Sequence, residues 1–108
     1  MSTGRLGAVD LAALTETALY APAVGERTAI KVVFANRNPA LSAKVRVVLR
    51  PGAGPTVPAD YLAFDEVIPV SESRVSAVFD VENPQEVLVE SDVAGVSAQA
   101  NGLERAIV

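Results

Sequence analysis

The sequence has no cysteine, no histidine and no tryptophan, and only five aromatic residues, two Tyr and three Phe, in 108. These absences exclude disulfides, thiolate nucleophiles, Cys/His zinc sites and Ser-His-Asp triads. No basic segment followed by an apolar stretch opens the chain, and no apolar run approaches about 18 residues. We therefore expect neither a secretion signal nor a membrane-spanning helix.

The acidic residues are the remaining candidates for catalysis or metal binding, notably Asp60, Asp65, Glu66, Glu90 and Asp92. Acid–base chemistry needs two carboxyl groups that converge across a cleft, whereas neighbouring residues on a strand point to opposite faces. Glu90 and Asp92 can share a face and hold Ca²⁺, but no EF-hand spacing accompanies them. The sequence predicts a protein that is not an enzyme, with no catalytic residue, no cofactor and no metal site.

Small apolar residues dominate the composition, with 18 Ala and 18 Val. A chain of 108 residues has room for one domain with one core. Surplus apolar side chains on so small a domain predict that some are buried against a partner. The alternative is a valine-rich core with scattered exposed alanines, because exposed apolar atoms are common on protein surfaces.

Short alternating runs separated by Pro, Gly, Asn and Ser predict strands rather than helices. The clearest run is 28–36, where Ile30, Val32 and Phe34 share one face. The predicted strands are 17–21, 27–35, 43–50, 61–70, 74–81, 86–91 and 95–102. We expect an all-β fold, a single antiparallel β-sandwich of jelly-roll or immunoglobulin-like topology over residues 17–108, with residues 1–16 as an extended N-terminal arm.

Strand parity also predicts which residues form the core of this sandwich. In 61–70, Glu66 interrupts the apolar parity, which indicates a bulge near Asp65 and Glu66. The predicted core residues are Ile30, Val32, Phe34, Val45, Val47, Leu49, Phe64, Val75, Phe79, Val87, Val89 and Val96.

The net charge of −4 conceals an asymmetry, because residues 1–54 carry +4 and residues 55–108 carry −8. Nucleic-acid-binding domains are more often basic, with aromatic residues among the cations, so we expect no nucleic acid partner. Oppositely charged faces suit contacts between copies, and a solvated surface is the alternative. The candidate contact residues are Arg37, Lys44, Arg46 and Arg50 on the basic side and Asp65, Glu66, Glu86, Glu90 and Asp92 on the acidic side.

Two further groups of residues are candidates for contacts with a partner. The second face of the run at 28–36 carries the small residues Ala29 and Val33, with Lys31 beside them. The N-terminal arm, with Arg5 and Leu6, is rich in Ala and Leu but lacks strong periodicity. We expect both to lie against another subunit or a larger assembly.

Several motifs, in order, resemble a family of small virion proteins of tailed bacteriophages. They are "LYAPAVGERTAIKVVFANRN", "KVRVVL", "PADYLAFDEVIP", "SRVSAVF" and "VLVESDVAGVSAQANGLE", and together they extend from Leu6 to Glu104. The chain departs from the family pattern at two turns. Asn38-Pro39 stands where the family usually has Gly, and Ala21 stands where it has Thr.

The resemblance implies a virion structural protein, and the family includes proteins assigned to the head and to the tail. A capsid decoration protein on the outer head surface is the leading interpretation, assembled in the host cytoplasm as a homo-oligomer such as a trimer. Its implied partners are its own copies and the major capsid protein or other virion proteins, with no membrane. A tail, baseplate or fibre component is one alternative. A carbohydrate- or receptor-binding sandwich that uses Tyr20 or Tyr61 is another.

Overall fold

The computed structural model describes residues 3–52 and 54–106, which form eight β-strands in two four-stranded sheets. The strands are β1 (Thr3–Leu11), β2 (Thr17–Tyr20), β3 (Glu26–Asn36), β4 (Ala43–Arg50), β5 (Tyr61–Ile68), β6 (Ser73–Glu82), β7 (Glu86–Ser91) and β8 (Val96–Ala106). Within this part of the chain the helical structure is one short 3₁₀ helix, Pro58–Asp60, and no helix is long and apolar enough to span a membrane.

Sheet A has the strand order β1-β8-β3-β6, and sheet B has the order β2-β7-β4-β5. Neighbouring strands are antiparallel in both sheets. The inner faces of the two sheets share one apolar core. The predicted all-β, antiparallel sandwich is therefore confirmed, and each of the seven predicted runs overlaps an observed strand.

Strand β3 is the long central strand of sheet A, and its sequence alternates between inward and outward residues. Thr28, Ile30, Val32 and Phe34 are buried, while Lys31 is exposed on the opposite face. This period of two matches the alternation of side chains on a strand. β3 pairs with β6 along one side and with β8 along the other, so its inner face lies at the centre of the sandwich.

Asn36 ends β3 and ties it to the other sheet. Its side-chain amide is buried and donates hydrogen bonds to the carbonyl oxygens of Leu41 (2.9 Å) and Ile68 (3.1 Å). Its Oδ1 accepts a hydrogen bond from the backbone amide of Asn38 (3.0 Å). The "NRNP" turn is therefore held by a satisfied buried amide, which is the condition for placing a polar group inside a core.

Of the twelve predicted core residues, eight are buried, two are partly exposed and two are exposed. Ile30, Val32, Phe34, Val45, Val47, Val87, Val89 and Val96 are buried, and Leu49 and Phe79 pack against them while partly exposed. Phe64 and Val75 were predicted to be inside, and this was wrong: they are 59% and 50% exposed. Both lie on edge strands beside irregularities in the pairing.

The irregularity in β5 explains the misplacement of Phe64. The pairing with β4 shifts between Val45, opposite Glu66, and Val47, opposite Ala63. Asp65 lies in this interval with a φ of 55°, so the predicted bulge is confirmed. Ala63 and Ile68, rather than Phe64, contribute the inward side chains of the strand.

The expectation that residues 1–16 form an arm outside the core is wrong for the residues described. β1 pairs with β8 along nearly its whole length and completes sheet A. Leu11 is buried in the core, and Leu6 packs against it. Irregular pairing between Arg5 and Gly7 breaks the alternation of β1, which is why the sequence lacks a clear period there. Residues 1 and 2 lie outside the described residues.

The placement of the phenylalanines can be tested by a matched pair of substitutions. Phe34→Ala removes a fully buried ring, and it should lower the free energy of unfolding by about 3–5 kcal/mol. Phe64→Ala removes an exposed ring, and it should cost about 1 kcal/mol or less. Urea denaturation followed by circular dichroism measures both values. Equal losses for the two variants would contradict the assigned register.

A second test concerns β1. Deleting residues 1–12 removes an edge strand of sheet A together with the buried Leu11, and it should strongly lower the melting temperature or prevent folding. Leu11→Ser should also be destabilising, whereas Leu14→Ser, at an exposed position, is the matched control. An unchanged melting temperature after the deletion would show that residues 1–12 are an accessory arm.

Candidate interaction surfaces

The outer face of sheet B carries charged residues of both signs on adjacent strands. Arg46 Nε donates a hydrogen bond to Asp65 Oδ1 (2.7 Å), and Arg50 pairs with Glu86 and lies 3.8 Å from Glu16. The expectation of separate basic and acidic faces is therefore wrong. The β4 cations and the β5 and β7 acids are neighbours in one sheet, and these pairs neutralise much of the face internally.

Other residues from the two predicted charge groups have separate positions. The Lys44 amide donates to Asp92 Oδ1 (2.8 Å), which fixes the end of β4 beside β7. Arg37, which directly follows β3, pairs with Asp10 of β1, and both strands belong to sheet A. The Ser76 hydroxyl donates to Glu66, which links the edge strands of the two sheets. The predicted group of basic contact residues is therefore divided between the sheets.

The outer face of sheet B also contains two buried apolar residues. Val48 and Leu88 pair across β4 and β7 and are buried, although neither belongs to the main core. The Thr56 hydroxyl donates to both carboxylate oxygens of Glu16, at 2.9 Å each, and so ties the loop to the segment before β2. This second, smaller apolar cluster was not apparent from the sequence.

An aromatic patch on β5 remains open on the outer face of sheet B. We define it as Tyr61, Phe64 and Arg46. The two rings meet edge to face with centroids 4.9 Å apart, and the guanidinium carbon of Arg46 lies 4.1 Å from the Phe64 centroid. The hydrogen bond from Arg46 lowers the pKa of Asp65 below its ordinary value, which keeps that carboxylate ionised. Tyr, Phe and Arg are enriched at protein interfaces.

The outer face of sheet A has a different character, because small and apolar residues occupy much of its centre. Across β6, β3 and β8 the outward residues form three rows: Asp80–Ala29–Leu103, Val78–Lys31–Asn101 and Val75–Val33–Gln99. Val78 is 77% exposed and Leu103 is 41% exposed. The candidate contact residues Ala29, Lys31 and Val33 lie together on this face, and the exposed Arg5 is on its β1 border.

The most exposed members of this face were missed by the sequence reasoning. Val75 was assigned to the core because it shares a parity with Phe79, but the pairing shifts between Val32 and Val33 and leaves Ser76 unpaired. The spacing of Val75 and Val78 in the run "RVSAVFDV" is the sequence feature that bears on this bulge. Residues three positions apart cannot lie on the same face of a regular strand. Only a bulge allows both to be outward.

Tyr20, one of the two tyrosines considered for carbohydrate binding, points inward. Its hydroxyl lies 2.8 Å from the Thr28 hydroxyl and donates to Glu104. Burial, followed by the hydrogen bond to Glu104, raises the pKa of Tyr20 to about 12. Tyr20 therefore joins β2 of sheet B to β3 and β8 of sheet A, and its ring is not a free platform.

Comparisons with protein-family models, with curated proteins and with solved structures found no match to this chain. A proposal about function therefore depends on the chemistry of the two open surfaces and on the sequence motifs.

The partly buried position of Tyr20 gives a prediction about pH. Because its folded-state pKa of about 12 exceeds the ordinary 10.0, its stabilising contribution is complete below pH 10 and is lost as pH rises through 12. Absorbance titration at an ultraviolet wavelength should show one tyrosine ionising near pH 12, and Tyr20→Phe should remove this step. Retention of the step in Tyr20→Phe would contradict the assignment.

Proposed function

We propose that this chain is a structural protein of a tailed-phage virion, of the capsid-decoration kind, which binds copies of itself and an underlying shell. The observation that carries the proposal is that the sandwich has two open surfaces with exposed apolar side chains, on opposite sheets. One is the outer face of sheet A, and the other is the aromatic patch on β5. A subunit fixed between neighbours and a shell needs two such surfaces.

We also propose that the sandwich is a jelly roll rather than an immunoglobulin-like fold. The orders β1-β8-β3-β6 and β2-β7-β4-β5 support this, because each sheet alternates strands from distant parts of the chain in the manner of two Greek keys. Jelly rolls occur in capsid proteins, lectins and cupins. The topology is therefore compatible with the proposed role but does not by itself select it.

The aromatic patch is the surface that we assign to the shell. Interface hot spots are rich in aromatic residues and Arg, and they have an apolar centre that excludes water. Phe64 supplies such a centre, and Leu62 and Val67 of the same strand are exposed nearby in sequence. Arg46 is held over the Phe64 ring by its bond to Asp65, so the patch is ordered before binding and loses less entropy on docking.

Carbohydrate or receptor binding is the second candidate, and the exposed Phe64 ring beside Tyr61 is the observation that favours it. Arg46 already covers one face of Phe64, and a sugar would compete with it for that surface. Glycan-array binding by the purified protein, lost on Phe64→Ser, would favour this candidate over the shell contact.

The proposal is tested on virions of the phage whose genome encodes the chain. Particles lacking the protein are mixed with purified wild type, Phe64→Ser or the control Val24→Glu, which is substituted at an exposed position outside both surfaces. Cosedimentation measures binding, and cryo-electron microscopy locates the added density. We expect wild type and Val24→Glu to decorate the head, and we expect Phe64→Ser to bind about tenfold more weakly or worse.

Three outcomes would contradict parts of the proposal. Failure of the wild-type protein to bind, together with its absence from complete virions, would refute a structural role in the particle. Density on the tail would refute decoration of the head and support a tail-associated component. Unchanged binding of Phe64→Ser would refute the assignment of the aromatic patch to the shell.

A further inference from the structure

The outer face of sheet A contains a shallow groove along β3 and β6, with an unusual arrangement of charges. The groove is lined by Ala29, Lys31, Val78, Asp80, Asn101 and Gly102. Its surface is mainly apolar, and Val78 projects from its border with 77% of its surface exposed. Lys31 and Asp80 are the charged side chains among these residues.

Lys31 and Asp80 lie diagonally across the pairing of β3 with β6. Lys31 is opposite Val78, and Ala29 is opposite Asp80, so the four residues mark the corners of a rectangle. Diagonal neighbours in an antiparallel pair are about 7–8 Å apart, within reach of a long side chain. Neither residue, however, forms an ion pair with any residue that the structure describes.

The same rectangle makes the face complementary to itself. Adjacent strands are about 4.8 Å apart, and residues two positions apart along one strand are separated by about 6.8 Å. With these spacings, the line from Leu103 on β8 to Val78 on β6 passes between Lys31 and Asp80. A two-fold axis that lies in the interface parallel to this line, about 1.4 Å from it on the side of Asp80, exchanges the positions of the two charges. It also leaves Val78 facing Val78 of the partner subunit, and Leu103 facing Leu103.

We propose that two copies of this chain associate through the outer faces of their A sheets about this two-fold axis. Lys31 of each copy pairs with Asp80 of the partner subunit, and Val78 and Leu103 supply the apolar contacts. Isologous pairing of this kind is the commonest symmetry of homo-oligomers. The inference rests on the homo-oligomeric part of the proposed function and specifies the surface and the symmetry.

The geometry also sets the strength of this contact. The diagonal axis makes the strands of the two sheets cross steeply, so that four-stranded sheets about 19 Å wide overlap over roughly 400 Å² per copy. This lies below the size of a standard stable interface, about 800 Å² per partner. The small outward residues Ala29 and Val33 permit close approach but contribute little area. The dimer should be weak, with a Kd in the micromolar range or above, and promoted by the high local concentration on a particle.

The experiment is sedimentation velocity on the full chain over about 5–500 µM, a range that brackets the expected Kd. We expect wild type to shift from monomer to dimer with concentration. Val78→Glu should weaken association at least about tenfold, because it places two carboxylates at the two-fold contact. Val67→Glu is the matched control, since Val67 is also an exposed valine on an edge strand, but of sheet B. Circular dichroism verifies that each variant is folded.

A charge exchange tests the orientation. Asp80→Lys places like charges opposite each other and should also weaken the dimer. Combining it with Lys31→Asp retains the net charge and should restore association to within about threefold of wild type. High salt should reduce the difference between the single and double variants.

Three results would overturn the inference: a wild-type monomer at all concentrations, a dimer unaffected by Val78→Glu, or no recovery in the double variant. These outcomes are separable from the proposed function. If Val78→Glu leaves the solution dimer intact while Phe64→Ser abolishes decoration, the inference fails and the function stands. If the dimer forms as described but virions contain none of the protein, the function fails and the inference stands.

Discussion

The packing of two β-sheets through narrow, close-fitting inner faces is the constraint on which the rest of this structure depends. Its centre is the inner side of β3, where Ile30, Val32 and Phe34 are almost completely buried. Their neighbours on β8 are Ala98 and Ala100, which are also buried, so large side chains of one strand lie beside small ones of the next. Such alternation of large and small residues allows the faces to interdigitate at the density of a protein interior. An Ala- and Val-rich composition is what such a core requires.

The same closeness explains positions where only glycine fits. A Cβ at Gly102 would lie 2.0 Å from the Ala29 carbonyl oxygen, and one at Gly7 would lie 2.3 Å from that of Leu19. Glycine is therefore required at these two positions by close contacts between chain segments rather than by a turn conformation. Tyr20 and Asn36 act across the sheets in a related way, since each joins strands of sheet A to sheet B through satisfied hydrogen bonds. The sandwich is thus held by polar contacts between the sheets as well as by its apolar core.

Because the inner faces contain most of the large apolar side chains, the two outer faces are free to differ. Sheet B places cationic β4 between acidic β5 and β7, and the resulting ion pairs Arg46–Asp65 and Arg50–Glu86 are worth little individually at an exposed surface. Their effect is to remove unpaired charge from that face and to hold Arg46 over Phe64. Sheet A has more exposed valine on its outer face, and its Lys31 and Asp80 form no ion pair with any residue that the structure describes. This contrast is the physical basis for assigning different partners to the two faces.

The sequence alone was sufficient for the local features of this protein. Period-two alternation gave seven strands and eight fully buried core residues, and Glu66 within an apolar run correctly indicated the bulge in β5. These features depend on neighbours in the chain, which a sequence displays directly. The absence of cysteine and histidine likewise removed whole classes of chemistry before any fold was considered.

Only the tertiary structure decided which strands are neighbours, and the surfaces follow from that choice. β1 has no clear period because its pairing with β8 is irregular near Arg5, so its place in sheet A is set by a partner about 90 residues away in sequence. The opposed charges were visible in the sequence, but their location on adjacent strands of one sheet was not. Val75 and Phe64 turned outward because bulges on edge strands reverse the parity. Register and strand order are long-range properties, and they decide which side chains meet and which remain available to a partner.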